Sequence, residues 1–166
     1  TQLFGNRFVD LKAIGQGGMS EIFAATDQLL QRRFGRPVNQ IFAVYGEAAF
    51  RAHETSILKS LAPGPSVVST GGGIVAREEN WRELRRLGLT AYLDAPEDEL
   101  LKRLAASKKR RPLLETEDWE GRVSDLLGQR APMYRQADVV VPIAGLAIEE
   151  AARLVHEAFL RKEREA

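Results

Sequence analysis

The chain has 166 residues, no cysteine and a formal net charge of +1, with 44% hydrophobic and 28% charged residues. These values are typical of a soluble globular domain with a core, and they exclude disulfides and thiol catalysis. The small charge offers no electrostatic basis for binding nucleic acid or a membrane, and no apolar run approaches the roughly 18 residues of a membrane span. We expect a single cytoplasmic, monomeric domain over residues 1–166.

The N-terminal part of the chain predicts a strand, a loop and a helix. Residues 7–11 have the composition of a short strand, and the glycine-rich segment 14–19 follows. Ser20 is a suitable helix N-cap. The apolar spacing after it predicts a helix that runs to Phe34 and ends at the glycine that follows.

The rest of the chain alternates between helical and strand patterns, which indicates a parallel sheet covered by helices on both faces. The polar, unperiodic stretch 107–118 is expected to be a mobile lid over a site. Predicted strands lie at 66–69, 89–95 and 138–143, and predicted helices at 41–61 (interrupted near Gly46), 78–87, 96–104, 119–130 and 148–162.

The chain is organised around the segment Ser66-Val67-Val68-Ser69-Thr70-Gly71-Gly72-Gly73. Its first half is a buried-strand pattern and its second half is three glycines. Glycine tolerates positive φ and lets a ligand approach the main chain closely. Because open α/β sheets bind ligands at the carboxyl ends of their strands, we expect a ligand crevice here, with a flexible turn as the alternative.

Four charged residues are candidates for chemistry, and each has a simpler explanation. Asp27 fits a solvated helix surface, and Arg51 fits an i,i+3 partner of Glu54. Arg111 and Arg130 are better candidates, because arginine binds carboxylates and phosphates with two parallel hydrogen bonds.

Taken together, these segments resemble the shikimate kinase family over about residues 27–160. The resemblance implies a P-loop-kinase-like α/β fold, a three-layer sandwich with a central parallel sheet of about four or five strands and a lid loop. It is carried by Asp27 to Gly35, Gln40-Ile41-Phe42, Gly46 to Arg51 with Glu54, Ser69 to Gly73, Arg111-Pro112-Leu113-Leu114, Arg130 to Tyr134, and Ala137-Asp138.

The resemblance also implies an activity: transfer of the γ-phosphate of ATP to the 3-hydroxyl of shikimate, with Mg²⁺, in aromatic amino-acid biosynthesis. Phosphoryl transfer depends on positioning and charge neutralisation, which suits these residue types. The implied roles are Asp27 as general base at the acceptor hydroxyl, Arg111 as stabiliser of the phosphate charge, Arg51 and Arg130 at the shikimate carboxylate, Gly71, Gly72 and Gly73 at the ring, and Arg103 or Arg110 along the adenine.

The nucleotide half of the family pattern is incomplete. The 166 residues contain no G-x-x-x-x-G-K-[ST] phosphate loop. The candidate is the segment 15–20, which is too short between its outer glycines and has Met19 in place of the lysine. It would supply Gly15, Gly17, Gly18 and Ser20 to the nucleotide, with Asp10 and Ser20 as candidate Mg²⁺ ligands.

Three explanations of this N-terminal segment stay open. Residues 7–25 are a degenerate strand, phosphate loop and helix; or the phosphate loop lies upstream; or residues 10–23 are a decayed copy of 27–42. The family has Asp-x-Asp after its second strand, whereas here Phe8-Val9-Asp10 lies far from Thr26-Asp27. Residues 11–25 therefore suggest an insertion into that motif.

Two other functions are weighed against the kinase. A catalytically inactive module that binds a small acid would keep the acceptor residues and lack the phosphate loop. A protein kinase would explain the glycine-rich segment 14–19, but the chain has no V-A-I-K, H-R-D or D-F-G motif. The protein kinase is excluded, and the binding module remains the alternative.

Overall fold

The computed structural model describes residues 21–22, 26–64, 66–106 and 117–165. By their contacts, the described residues form two compact units, one from 89–106 and 123–165 and the other from 21–22, 26–64, 66–88 and 117–122. The elements are β1 (Glu21–Ile22), α1 (Thr26–Phe34), α2 (Val38–Ser60), β2 (Ser66–Val67), a 3₁₀ turn (Ile74–Ala76), α3 (Glu78–Leu87), β3 (Ala91–Asp94), α4 (Glu97–Ala106), α5 (Trp119–Tyr134), β4 (Val139–Pro142) and α6 (Ile148–Glu165).

In the unit that holds residues 26–64, β1 pairs with β2 in parallel, with Ile22 opposite Val67. Helices α1 and α2 pack against each other through a cluster of fully buried side chains, because each presents apolar residues at helical spacing on one face. That cluster contains Leu30, Ile41, Phe50 and Ile57.

Helix α2 is interrupted at Gly46, which has φ 76° and ψ 170° inside an otherwise helical segment. Only glycine adopts this conformation without strain. The predicted interruption near Gly46 is therefore confirmed, and the helix resumes in a new direction before Arg51.

In the other unit, β3 pairs with β4 in parallel, from Ala91 opposite Val139 to Asp94 opposite Pro142. Helix α6 packs on β4. The core combines the ends of both strands with small residues on the inner face of the helix, which let the helix approach the strand closely. Its buried members are Ala95, Val141, Ile143, Ala151 and Ala158.

Thr90 and Asp138 join the starts of β3 and β4. The backbone N–H and the hydroxyl of Thr90 both donate to Oδ2 of Asp138, at 2.7 and 2.6 Å. In return the backbone N–H of Asp138 donates to Oγ1 of Thr90 at 2.9 Å. This exchange fixes which residues of the two strands lie opposite each other.

The predicted helix from Ser20 to Phe34 is wrong at its start. Glu21–Ile22 is a strand, and the helix begins only at Thr26. The reason is long-range pairing: the backbone of these two residues bonds to β2, which lies far along the chain. The apolar residues before Thr26 happen to have helical spacing, so the sequence pattern alone predicts a helix there.

Several other boundaries agree with the sequence pattern. Helix α3 covers the predicted 78–87, whereas α5 continues through Pro132 to Tyr134, beyond the predicted end at 130.

The predicted strand 7–11 and most of the predicted lid, residues 107–116, lie outside the described residues. Among the helices that the structure describes, none is long and apolar enough to cross a membrane.

Candidate acceptor site

Arg51 is held in place by two carboxylates of its own helix. Its Nη1 donates to Oε2 of Glu54 at 2.6 Å, and its Nη2 lies 3.4 Å from Oε1 of Glu47. The Glu54 side chain is only 2% exposed and that of Arg51 11%, whereas Glu47 is half exposed. A buried carboxylate requires a charged partner, so Glu54 and Arg51 fix each other's position.

Gly73 lies directly against the Arg51 guanidinium. A Cβ atom at position 73 would overlap Nη1, Nη2 and Cζ of that group. The backbone of Gly73 has φ −83° and ψ −12°, a conformation open to any residue. Glycine at this position leaves room for the guanidinium, which a larger residue would displace. The structure thus brings two residues of the predicted acceptor site, Arg51 and Gly73, into contact.

The glycine run leads into a buried turn that is fixed from α3. The N–H of Ile74 donates to the Gly71 carbonyl at 3.2 Å. Nδ2 of Asn80, which is fully buried, donates to the carbonyl of Ile74 at 2.7 Å. Since Ile74 is itself buried, the backbone of the glycine run is anchored to the core on its C-terminal side.

The start of α1 lies beside the other end of this run. The N–H of Thr26 donates to the carbonyl of Ser69 at 3.0 Å. This bond places the backbone of Asp27 close to the segment that leads into Gly71. The side chain of Asp27 lies outside the described part of the structure, so its role as general base stays a prediction.

Arg103, predicted to lie along the adenine, is on α4 in the other unit. Its Nη2 contacts Oε1 of Glu99, one helical turn earlier. Oε2 of the same glutamate accepts a hydrogen bond from the N–H of Gly145 at 3.0 Å, in the turn after β4. One carboxylate therefore connects Arg103 to that turn.

The other predicted site residues are not assembled by the described contacts. Arg130 is half buried on α5, in the unit that does not contain Arg51. Among the described residues, no group of three or more His, Asp and Glu side chains is arranged to hold a metal ion. The following predicted residues lie outside the described residues: Asp10, Gly15, Gly17, Gly18, Ser20, Arg110 and Arg111.

Three residues at these sites carry interactions that the sequence pattern did not assign to a site. Glu54 was visible as an i,i+3 partner of Arg51, a spacing that is equally common on solvated helices. Glu99 has a comparable i,i+4 spacing to Arg103, but its contact with Gly145, like that of Asn80 with Ile74, forms only through tertiary folding.

Comparison with known proteins gives a consistent result. A family model described as shikimate kinase matches residues 19–159. The shikimate kinase of Prochlorococcus marinus (strain MIT 9313) is 41% identical over 122 residues, which are 73% of this chain and 63% of that protein. That of Thermodesulfovibrio yellowstonii is 34% identical over 140 residues, 84% of this chain and 80% of that protein.

Solved structures of similar fold are also shikimate kinases. The enzyme from Acinetobacter baumannii, solved in complex with shikimate, has a TM-score of 0.80 at 31% identity, covering 86% of this chain and 80% of that one. The enzyme from Aquifex aeolicus has a TM-score of 0.71 at 29% identity, covering 87% and 84%. The fold is therefore the predicted P-loop-kinase-like α/β fold with parallel strands.

The chain belongs to the shikimate kinase family. It spans less than two thirds of the length of several curated relatives, including those of Prochlorococcus marinus and Synechococcus sp. (strain JA-3-3Ab), at 63% and 64%.

The family match bears on the N-terminal segment. Residues 19–25 lie inside the matched region and include β1. In the continuous sequence, the residue two positions before Asp27 is Ala25, where the Asp-x-Asp pattern has its first carboxylate. The insertion over 11–25 and the three explanations of the N-terminal segment stay predictions.

Proposed function

We propose that the protein is a kinase that transfers the γ-phosphate of ATP to the 3-hydroxyl of shikimate. The hydroxyl oxygen attacks the γ-phosphorus, the bond from that phosphorus to the β,γ-bridging oxygen breaks, and ADP leaves. The hydroxyl proton passes to the carboxylate of Asp27. Arg111 neutralises charge on the transferring group, as phosphoryl transfer requires.

The observation that carries this proposal is the position of Arg51 between Glu54 and Gly73. A guanidinium fixed in this way is preorganised to bind a carboxylate with two hydrogen bonds, at little cost in side-chain entropy. Gly71 and Gly72 precede Gly73, so the ring of a bound acid would rest on backbone without side chains. Arg130 would supply the second cation.

The donor side of the proposal depends on residues 10–20. Gly15, Gly17, Gly18 and Ser20 would contact the phosphates of ATP, and Asp10 with Ser20 would hold Mg²⁺. The described residues offer no alternative metal cluster, and bound Mg²⁺ would supply further charge neutralisation at the phosphates. Arg103 or Arg110 is assigned to the adenine.

A second function is favoured by one observation: the 166 residues lack the lysine-containing phosphate loop. Without a donor site, the same fold would bind shikimate or a similar small hydroxy acid as a non-catalytic module. The two functions make different predictions for nucleotide binding, which the following experiment separates.

The experiment is calorimetric titration of this chain with shikimate and, separately, with ATP and Mg²⁺, followed by measurement of ADP formation with both present. Binding of both ligands and ADP formation that depends on shikimate support the kinase. Binding of shikimate alone supports the binding module. Failure to bind shikimate contradicts the kinase and also a module specific for shikimate.

Two variants assign roles within the site. Asp27→Asn should reduce turnover by a factor of about 100 or more while leaving shikimate affinity largely unchanged, because general-base catalysis contributes roughly that factor. Arg51→Lys should instead weaken shikimate binding, because lysine cannot form the bidentate contact. Arg153→Lys is the control, since Arg153 makes an exposed contact with Glu157.

We also propose that the protein acts as a cytoplasmic monomer without a nucleic-acid or membrane partner. The net charge of +1 offers no electrostatic basis for a nucleic-acid or membrane partner. Sedimentation velocity across a range of concentrations would test the monomer, since an increase in mass with concentration contradicts it.

A further inference from the structure

Glu99 connects two parts of its unit that are distant in sequence. One carboxylate oxygen contacts the guanidinium of Arg103 on α4, and the other accepts the N–H of Gly145 in the turn between β4 and α6. Both side chains are mostly buried, with 22% of Glu99 and 27% of Arg103 exposed. Reduced exposure to water makes a charge-assisted bridge of this kind stronger than an exposed ion pair.

The turn that Glu99 contacts is well defined. The N–H of Ile143 donates to the carbonyl of Asp94 at 2.8 Å, and that of Leu146 donates to the carbonyl of Ile143 at 3.3 Å. Leu146 and Leu100 both pack against the apolar core of this unit. The turn is thus packed on the same core as α4, and Glu99 adds a polar connection between them.

Gly145 leaves the outer side of the turn open. Its φ is +65°, and a Cβ atom added there would meet nothing within 4 Å. Arg103 contacts Glu99 through its Nη2, which restrains the position of the guanidinium. A restrained guanidinium connected to an open backbone turn suits a flat, polar aromatic ring, which stacks on guanidinium and pairs its edge with backbone groups.

We propose that Glu99 is a positioning residue for the base of the bound nucleotide: it holds Arg103 in place relative to the turn at 143–147. This inference rests on the proposed function, in which Arg103 lies along the adenine. Glu99 acts through Arg103 and through Gly145, and does not itself contact the base. It should therefore affect the affinity for adenine nucleotides and leave the phosphate and acceptor contacts unchanged.

The same helix offers a matched control. Asp98 and Lys102 have the same i,i+4 spacing one residue earlier, at 3.3 Å, but both side chains are more than 70% exposed. Such a pair contributes little to stability. Asp98→Asn removes the same charge from the same helix as Glu99→Gln, without touching Arg103 or the turn.

The test is calorimetric titration with ADP and with tripolyphosphate, which has the phosphates and no base. Glu99→Gln should raise the Kd for ADP about tenfold and leave the Kd for tripolyphosphate within a factor of about two. Arg103→Lys should have a similar effect, and the double variant should be no weaker than the weaker single variant, because both changes disrupt one unit. Asp98→Asn should match the wild type.

Several results overturn the inference. If Glu99→Gln binds ADP as well as Asp98→Asn does, the positioning role is wrong and the kinase proposal is unaffected. If both probes weaken equally, the effect is general loosening of the fold, which also contradicts the role. If the wild type binds neither probe, the donor site is absent and both proposals fail. Should Glu99→Gln not fold, Glu99→Asp gives the same comparison of probes, because its carboxylate is one methylene shorter and should loosen the contacts with Arg103 and Gly145.

Discussion

The guanidinium of Arg51 occupies the space into which a side chain at position 73 would extend. The two residues are therefore coupled: a side chain at position 73 would force the guanidinium to shift. This coupling makes position 73 a direct test of the acceptor site.

Gly73→Ala should displace Arg51 and break its contact with Glu54. We expect a loss of about 1–3 kcal/mol in the free energy of unfolding, as for other overpacked sites, and at least about a tenfold loss of shikimate affinity. Urea denaturation and calorimetric titration measure the two effects. Gly128→Ala is the control: this helical glycine has open space around it, so alanine should stabilise the protein by about 0.5–1 kcal/mol. Unchanged affinity in Gly73→Ala would contradict the coupling.

Glu54→Gln should show that the buried partner of Arg51 contributes more to stability than the exposed partner, Glu47. Removing the charge of Glu54 leaves the guanidinium without its close ionic partner, and we expect a loss of about 1–3 kcal/mol in stability together with weaker shikimate binding. Glu47→Gln, which alters the longer and more exposed contact, should change stability by less than about 0.5 kcal/mol. Thermal and urea denaturation of both variants test the difference, and equal effects would show that burial of Glu54 is not decisive.

Thr90→Ala and Asp138→Ala should act on the same structural feature, the connection between the starts of β3 and β4. Each variant removes two of the three hydrogen bonds, and each should cost about 1–2 kcal/mol in stability. Because the bond between the Thr90 hydroxyl and Asp138 is lost in both variants, the double variant should cost less than the sum of the single ones. A double-mutant cycle by urea denaturation measures this, and simple additivity would contradict a shared role.

Arg86 should stabilise the end of α2 from outside that helix. Its Nη2 donates to the carbonyls of Leu58 and Leu61 at 3.1 and 3.0 Å, which satisfies acceptors that a helix C-terminus leaves open. Arg86→Met should cost about 1 kcal/mol in stability. Arg82→Met should have little effect, since Arg82 lies on the exposed face of α3, the helix that also contains Arg86. If the two variants unfold at the same urea concentration, Arg86 does not stabilise the end of α2.

The sequence predicts the helices and the later strands well, because their signals are local. The period of α3, the interruption of α2 at Gly46 and the apolar run of β4 all depend on residues next to one another. The strand at Glu21–Ile22 could not be predicted this way, since it forms only by pairing with β2.

In the acceptor site, too, local features can be predicted from the sequence and tertiary contacts cannot. The glycine run is predicted from its own residues and the role of Arg51 from the resemblance, but the reason for glycine at position 73 depends on a side chain from another element. The i,i+4 spacing of Glu99 and Arg103 is visible in the sequence, whereas the contact of Glu99 with Gly145 crosses 46 positions of the chain and is not.

The two strand pairings also bear on how quickly the protein folds. β1 pairs with β2, and β3 with β4, across more than forty residues in each case. The entropy lost in closing such long segments must be compensated before either pairing forms, so folding is slower than in proteins whose contacts are local. Once the helices between two paired strands have formed, those strands are closer together than they would be in an extended chain. The refolding rate should therefore depend on the stability of α2 and α5 more than on the strands themselves.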